Sequence, residues 1–125
     1  MTRDLASMEC VPCRGGVPPL THEEIEGYLA DLGNGWAVVD DHHLAKEYRF
    51  KDFAEALGFT NRVGELAESV NHHPDIHLAW GKCGITVWTH KIGGLHEADF
   101  VFAAKADRAF DEAQAEPVHE PESKR

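Results

Sequence analysis

"LAESVNHHPDIHLAWGKCGITVWTH", residues 66–90, decides the fold. Its opening residues end a helical pattern that starts near Asp52, in which Phe53, Leu57, Val63, Leu66, Ala67 and Val70 recur every three or four positions. Pro74 makes continuation impossible, because its ring removes a backbone donor and clashes with the preceding turn. Gly58 and Gly64 weaken the helical pattern without overturning it. The period then changes to two: "DIHLAW" and "GITVWTH" alternate, with a turn expected around Gly81, Lys82, Cys83 and Gly84. A helix followed directly by a hairpin is the reading, with Ile76, Leu78 and Trp80 on one strand face and His77 on the other, at the surface or rim.

The same unit precedes it. Thr21 caps a helix with Glu24 completing a capping box, Ile25, Tyr28, Leu29 and Leu32 fall at helical spacing, and Gly33 stops it. "WAVVDD" and "HLAKEYRF" then form a first hairpin, the second run alternating Leu44, Lys46, Tyr48 and Phe50 against Ala45, Glu47 and Arg49. Near the C-terminus, "LHEADFVFAAKADRAFDEA" carries Leu95, Phe102, Ala103, Ala106 and Phe110 on one stripe and closes the order with a helix. Hairpins separated by helices favour an α+β fold: a four-stranded antiparallel sheet with three helices on one face. The other sheet face stays open or is covered by a partner, and a free edge strand could extend the sheet into a dimer.

The chain of 125 residues, 42% of them apolar, is expected to form one compact domain over about residues 20–113. Residues 1–19, ending in "CRGGVPP", read as a flexible arm rather than core, and residues 114–125 as a polar tail. A formal charge of -10 argues against general attraction to nucleic-acid backbones or anionic lipid. No apolar run approaches the ~20 residues of a membrane helix, and Arg3, Asp4 and Glu9 stand where a signal peptide would be apolar. A soluble, cytoplasmic protein is therefore expected. Cys10 and Cys13 form a CxxC in the arm, with a reduced pair, metal binding and redox chemistry all open; Cys83 stands alone.

Three histidines raise the question of chemistry. His72 and His73 leave the long helix together, Pro74 biases His73 toward extended backbone, and His90 ends the fourth strand on a face shared with Thr86 and Trp88. Imidazoles titrate near neutrality, so one can act as base while another acts as acid. Helix ends also attract histidine through the dipole, and a metal site would use the same residues with Cys83 as a further ligand. From spacing alone the three readings stand side by side. Trp80 is equally suited to packing, and Trp88 is a flat apolar neighbour for a ring.

Glu68, His72-His73-Pro74, Trp80, His90 and Asp99, seven positions over 32 residues, together resemble the signature of the pterin-4a-carbinolamine dehydratases. The resemblance implies a small α+β fold, a homodimer or homotetramer, and loss of water from 4a-hydroxytetrahydropterin to give quinonoid dihydropterin. That reaction recycles the tetrahydropterin of aromatic amino acid hydroxylases and needs no metal or organic cofactor. It further implies His72 and His90 as the proton-transfer pair and His73 as a positioning group. Glu68 and Asp99 would orient an imidazole or bind the pterin edge. Thr89 is outside the signature, but as the neighbour of His90 it could offer backbone or hydroxyl hydrogen bonds to the ligand. Within such a family two other roles compete, a dimerisation partner of a transcription factor and a related step in pterin or molybdopterin metabolism.

Overall fold

The computed structural model describes residues 3–11 and 15–115. In order these form a 3-10 turn (Leu5–Ser7), α1 (His22–Leu32), β1 (Ala37–Val39), β2 (His43–Arg49), α2 (Phe53–Val70), β3 (Asp75–Ala79), β4 (Lys82–Val87), a second 3-10 turn (His90–Ile92) and α3 (Glu97–Ala115). This is the α-β-β-α-β-β-α order read from the sequence.

Each helix starts where local chemistry satisfies its free N–H groups. Thr21 accepts from the Glu24 N–H while the Glu24 carboxylate accepts from Thr21, and Asp52 accepts from the Glu55 N–H. α1 ends on Gly33 at φ 57°, and α2 ends on Asn71 in the left-handed conformation three residues before Pro74.

The strands lie in the order β1-β2-β4-β3, all neighbours antiparallel, so the two hairpins join through β2 and β4. Register puts Leu44 opposite Val87, Tyr48 opposite Cys83 and Ile76 opposite Ile85, which gathers the apolar side chains on one face. They meet Ile25 and Leu32 of α1, Phe59, Val63 and Ala67 of α2, and Phe100, Val101, Phe102 and Ala103 of α3 in a single core. Tyr48, Phe59 and Phe110 stack within it at centroid distances of 4.5–5.7 Å. Removing a ring such as Phe59 would cost roughly 3–5 kcal/mol. One buried carboxylate locks the first hairpin to α3: Asp107 accepts from Tyr48 OH (2.6 Å), Lys46 Nζ (2.8 Å), Trp36 Nε1 (3.0 Å) and Asn34 Nδ2 (3.3 Å).

Three local expectations are corrected. The second hairpin turns at Trp80-Gly81, with Gly81 at φ 72°, and β4 already begins at Lys82 because Cys83, Ile85 and Val87 all point inward. Trp80 therefore sits at the hairpin tip, 71% exposed, instead of following Ile76 and Leu78 into the core. His90 does not end a strand: β4 stops at Val87, and Thr89 pairs with Gly94 across a tight loop whose tip is the His90–Ile92 turn.

The stretch read as an arm also departs from expectation. Leu5 and Cys10 are buried members of the core, and the Leu5–Ser7 turn is fastened to α3 by Lys105 Nζ on the Ala6 carbonyl (3.0 Å) and Arg108 on Ser7 Oγ (3.1 Å). Cys13 and residues 116–125, and with them the pairing of the CxxC and most of the expected tail, lie outside the described residues. Among the described residues no helix is long and apolar enough to cross a membrane.

Candidate active site

The end of α2 sends two adjacent imidazoles in different directions. Asn71 turns the chain through φ 55°, and the His72 N–H still reaches back to the Ala67 carbonyl at 3.2 Å. His72 is 8% exposed, its ring edge-on to Phe102, and its Nε2–H donates to Asp99 Oδ1 at 2.6 Å. His73, half exposed, has its Nε2 2.6 Å from Glu68 Oε2 one turn earlier on the helix, where the carboxylate is largely solvated. One imidazole–carboxylate pair is thus buried and one open to water.

Asp99 has two duties. Its Oδ2 accepts from the His96 N–H at 2.9 Å while His96 Nδ1 accepts from the Ala98 N–H at 3.2 Å, so the pair caps α3. The same carboxylate accepts from His72 and from Thr89 Oγ1 at 2.8 Å, and it is fully buried. Since a carboxylate only accepts, His72 carries its hydrogen on Nε2 when neutral and keeps its lone pair on Nδ1. The Thr89 hydroxyl is spent on Asp99 and the Thr89 N–H on the Gly94 carbonyl (2.9 Å). Both donors of Thr89, which the sequence offered as hydrogen bonds for a ligand beside His90, are thus engaged within the protein.

A cleft of about 380 Å³ opens between the α2 exit and the loop after β4, lined by Asn71, His72, His73, Pro74, Asp75 and the segment Trp88–Lys91. All three histidines singled out from the sequence line it, one wall coming from a helix end and the other from the His90 turn. The Trp88 ring packs edge-on to His90 at 4.2 Å between centroids. Glu68 and Asp99 stand behind His73 and His72. A larger hollow, about 610 Å³, lies on the open sheet face beside Glu47, Asp75, His77 and Thr86, but no imidazole–carboxylate hydrogen bond is found there among the described residues.

Sequence reasoning missed His42 and His43. Their rings pack on Trp88 at 5.1 and 5.8 Å, and their Nδ1 atoms are 3.0 Å apart, so one donates and the other accepts. The link is the β2–β4 register, in which Leu44 faces Val87, and no pattern local to residues 42–43 reveals it. The metal reading loses its fourth ligand: Cys83 is buried on the inner sheet face, where Thr60 Oγ1 reaches its sulfur at 3.3 Å. Among the described residues no group of three or more His, Cys, Asp or Glu side chains is placed to hold a metal ion.

Residues 18–109 match the family model described as pterin 4 alpha carbinolamine dehydratase. A protein of Rubrobacter xylanophilus, provisionally named a pterin-4-alpha-carbinolamine dehydratase, is 64% identical over 105 residues, covering 84% of this chain and 97% of its own. One from Alkaliphilus metalliredigens with the same provisional name is 54% identical, covering 84% and 95%. Among solved structures, a transcriptional coactivator/pterin dehydratase from Brucella melitensis superposes with a TM-score of 0.68 at 33% identity, covering 73% of this chain and 97% of that one.

Proposed function

Because the chain belongs to the pterin-4a-carbinolamine dehydratase family, we propose that its histidine cleft dehydrates a 4a-hydroxytetrahydropterin to quinonoid dihydropterin and water, recycling the cofactor of an aromatic amino acid hydroxylase. The observation that carries the reading is that His72 and His90 line one cleft, with the His72 ring hydrogen-bonded to buried Asp99.

The substrate carries its hydroxyl on C4a, next to N5. Losing water requires a proton to leave N5 and another to reach the departing oxygen, while the electron pair of the N5–H bond becomes the new N5=C4a π bond. His72 and His90 are the proton-transfer pair; each such step typically contributes about 10²- to 10⁴-fold. Asp99 positions His72 and supplies the countercharge when that ring is protonated, and Thr89 acts through Asp99. His73, tethered to Glu68, positions the pterin, and Trp88 offers it an apolar edge. Proton transfer of this kind asks for no metal or organic cofactor.

The working unit in this reading is a homodimer or homotetramer. β3 is an open sheet edge, and Phe53 and Leu57 of α2 are about two-fifths exposed. Native mass measurement decides between monomer, dimer and tetramer.

The test of the chemistry is stopped-flow absorbance following decay of synthetic 4a-hydroxytetrahydropterin, with the unaltered protein and with His72→Ala, in buffer containing a chelator. Acceleration that survives the chelator and largely disappears in the variant is expected. No acceleration over buffer from folded protein would overturn the dehydratase reading. An interaction role would then come first, since the Brucella melitensis protein is named a transcriptional coactivator as well as a pterin dehydratase.

A further inference from the structure

The nine residues from His90 to Ala98 connect one wall of the cleft to the carboxylate that holds the other. Four residues of the stretch before α1 touch that connection. The Leu20 N–H donates to the Leu95 carbonyl at 2.9 Å. Pro19 lies so close over Gly94 that a Cβ added there would stand 2.8 Å from Pro19 Cβ and 3.1 Å from Cγ, so only glycine fits without movement. The backbone of Gly15 lies over Lys91, where a Cβ would be 3.6 Å from the lysine Cβ. Cys10, buried, directs Sγ to the Ala98 carbonyl at 3.6 Å, next to Asp99.

We infer that Cys10, Gly15, Pro19 and Leu20 are positioning residues for the cleft: by bracing residues 91–98 from outside they set where His90 stands relative to the His72–Asp99 pair. Cys10 and Gly15 precede the region matched by the family model. The connection needs such a brace. Its inner side is the short Thr89–Gly94 ladder, where Thr89 N–H to Gly94 O is 2.9 Å and the return bond a longer 3.4 Å. Close-packed contacts pass displacement on rather than absorbing it. A shift at Gly94 is carried to His90, four residues before it, and to Asp99, five residues after it, and so to both walls at once. The thiol of Cys10 reports the same closeness: burial pushes it up to about 11, with Lys105 opposing and the Asp99 charge adding to the rise.

The kinetic part of this inference rests on the dehydratase reading, so its test includes a signal independent of turnover. The probe is the downfield N–H resonance of the short His72–Asp99 hydrogen bond, recorded beside stopped-flow kinetics for the unaltered chain, Gly94→Ala, Pro19→Gly and the double variant. Gly94→Ala is expected to move that resonance and to lower kcat by ~10- to 100-fold, as a displacement near 1 Å can do, with KM within ~2-fold. The double variant removes the clash and is expected to return both signals to those of Pro19→Gly alone, which, lacking part of the brace, is itself expected to move the resonance less than Gly94→Ala does and to lower kcat by only ~3- to 10-fold. Rescue by a second substitution separates positioning from a general loss of folding. An unmoved resonance in Gly94→Ala, or a moved one that Pro19→Gly does not correct, overturns the inference. Should Gly94→Ala not fold, Pro19→Gly alone must shift the resonance, and its failure to do so is equally decisive. If the unaltered protein does not dehydrate the pterin, the dehydratase reading falls and the resonance alone judges the brace.

Discussion

Asp99 ties the start of α3 to the end of α2: Oδ1 accepts from His72 Nε2 at 2.6 Å, while Oδ2 serves both the His96 N–H and the Thr89 hydroxyl. A single side chain thus caps a helix and fixes the tautomer of the histidine assigned to proton transfer. Helix capping and the support proposed for His72, which compete as explanations of an acidic residue at this position, can both be served by this one carboxylate.

Asp99→Asn separates the two. The amide oxygen can still accept from His96, but the charge is gone and an N–H can face His72, favouring the wrong tautomer. A kcat loss on the order of 10²-fold is expected, with a stability loss of about 1–3 kcal/mol for the weakened buried bonds. Asp99→Ala adds the missing cap, about 0.5–2 kcal/mol more. Stopped-flow rates and denaturant unfolding measure both, and near-native kcat in Asp99→Asn would remove Asp99 from the mechanism.

The second imidazole–carboxylate pair is expected to behave otherwise. Glu68 is 80% exposed in its side chain, so its bond to His73 competes with water and is screened by salt. Glu68→Gln should change stability by less than about 0.5 kcal/mol and kcat by no more than ~3-fold. A loss as large as that of Asp99→Asn would mean that His73, not His72, carries the proton.

Away from the cleft, Asp107 is the residue whose loss should cost most. Asp107→Ala strands the Lys46 ammonium, Tyr48 hydroxyl and Trp36 indole N–H, and roughly 3–5 kcal/mol is expected from denaturant unfolding. Tyr48 adds a signature in pH. Burial, then the neighbouring Asp107, raises its phenol far above the ordinary range, so the folded state keeps a proton that the unfolded chain releases near ~10. The Tyr48 contribution is intact below that pH and falls above it, at about 1.4 kcal/mol per pH unit. Tyr48→Phe should flatten the alkaline decline by that slope; an unchanged decline would show that Tyr48 does not cause it.

What the sequence displays is mostly what neighbouring residues decide. Thr21 with Glu24, the two hairpin periods and Pro74 after Asn71 are chemistry within one turn or strand, and they give the helices and hairpins in the order read, although the second hairpin turns and ends earlier. His72 and His73 could be separated because Pro74 constrains only the second. Trp80 failed because alternation says nothing of where a strand yields to its turn, and a two-residue turn put the indole at the tip. His90 kept its place in the cleft although its strand ended early, since the Thr89–Gly94 loop returns it to the same rim. Leu5, Cys10, His42 and His43 depend on partners dozens of residues away, and Gly and Pro near the arm signalled only the local loss of regular structure.

Cys10 makes that last distinction measurable. The thiolate is the nucleophile in alkylation, and a thiol pushed up to about 11 has far less of it at neutral pH than an ordinary cysteine. Burial also denies the reagent access. In the folded protein the Cys10 peptide, followed by mass spectrometry after iodoacetamide treatment, should be modified at least ~10-fold more slowly than an exposed model thiol, and denaturant should abolish the difference. Modification at the model rate would mean that the N-terminal stretch leaves α3 in solution, and would also take away the contact at Ala98 on which the brace of the cleft depends.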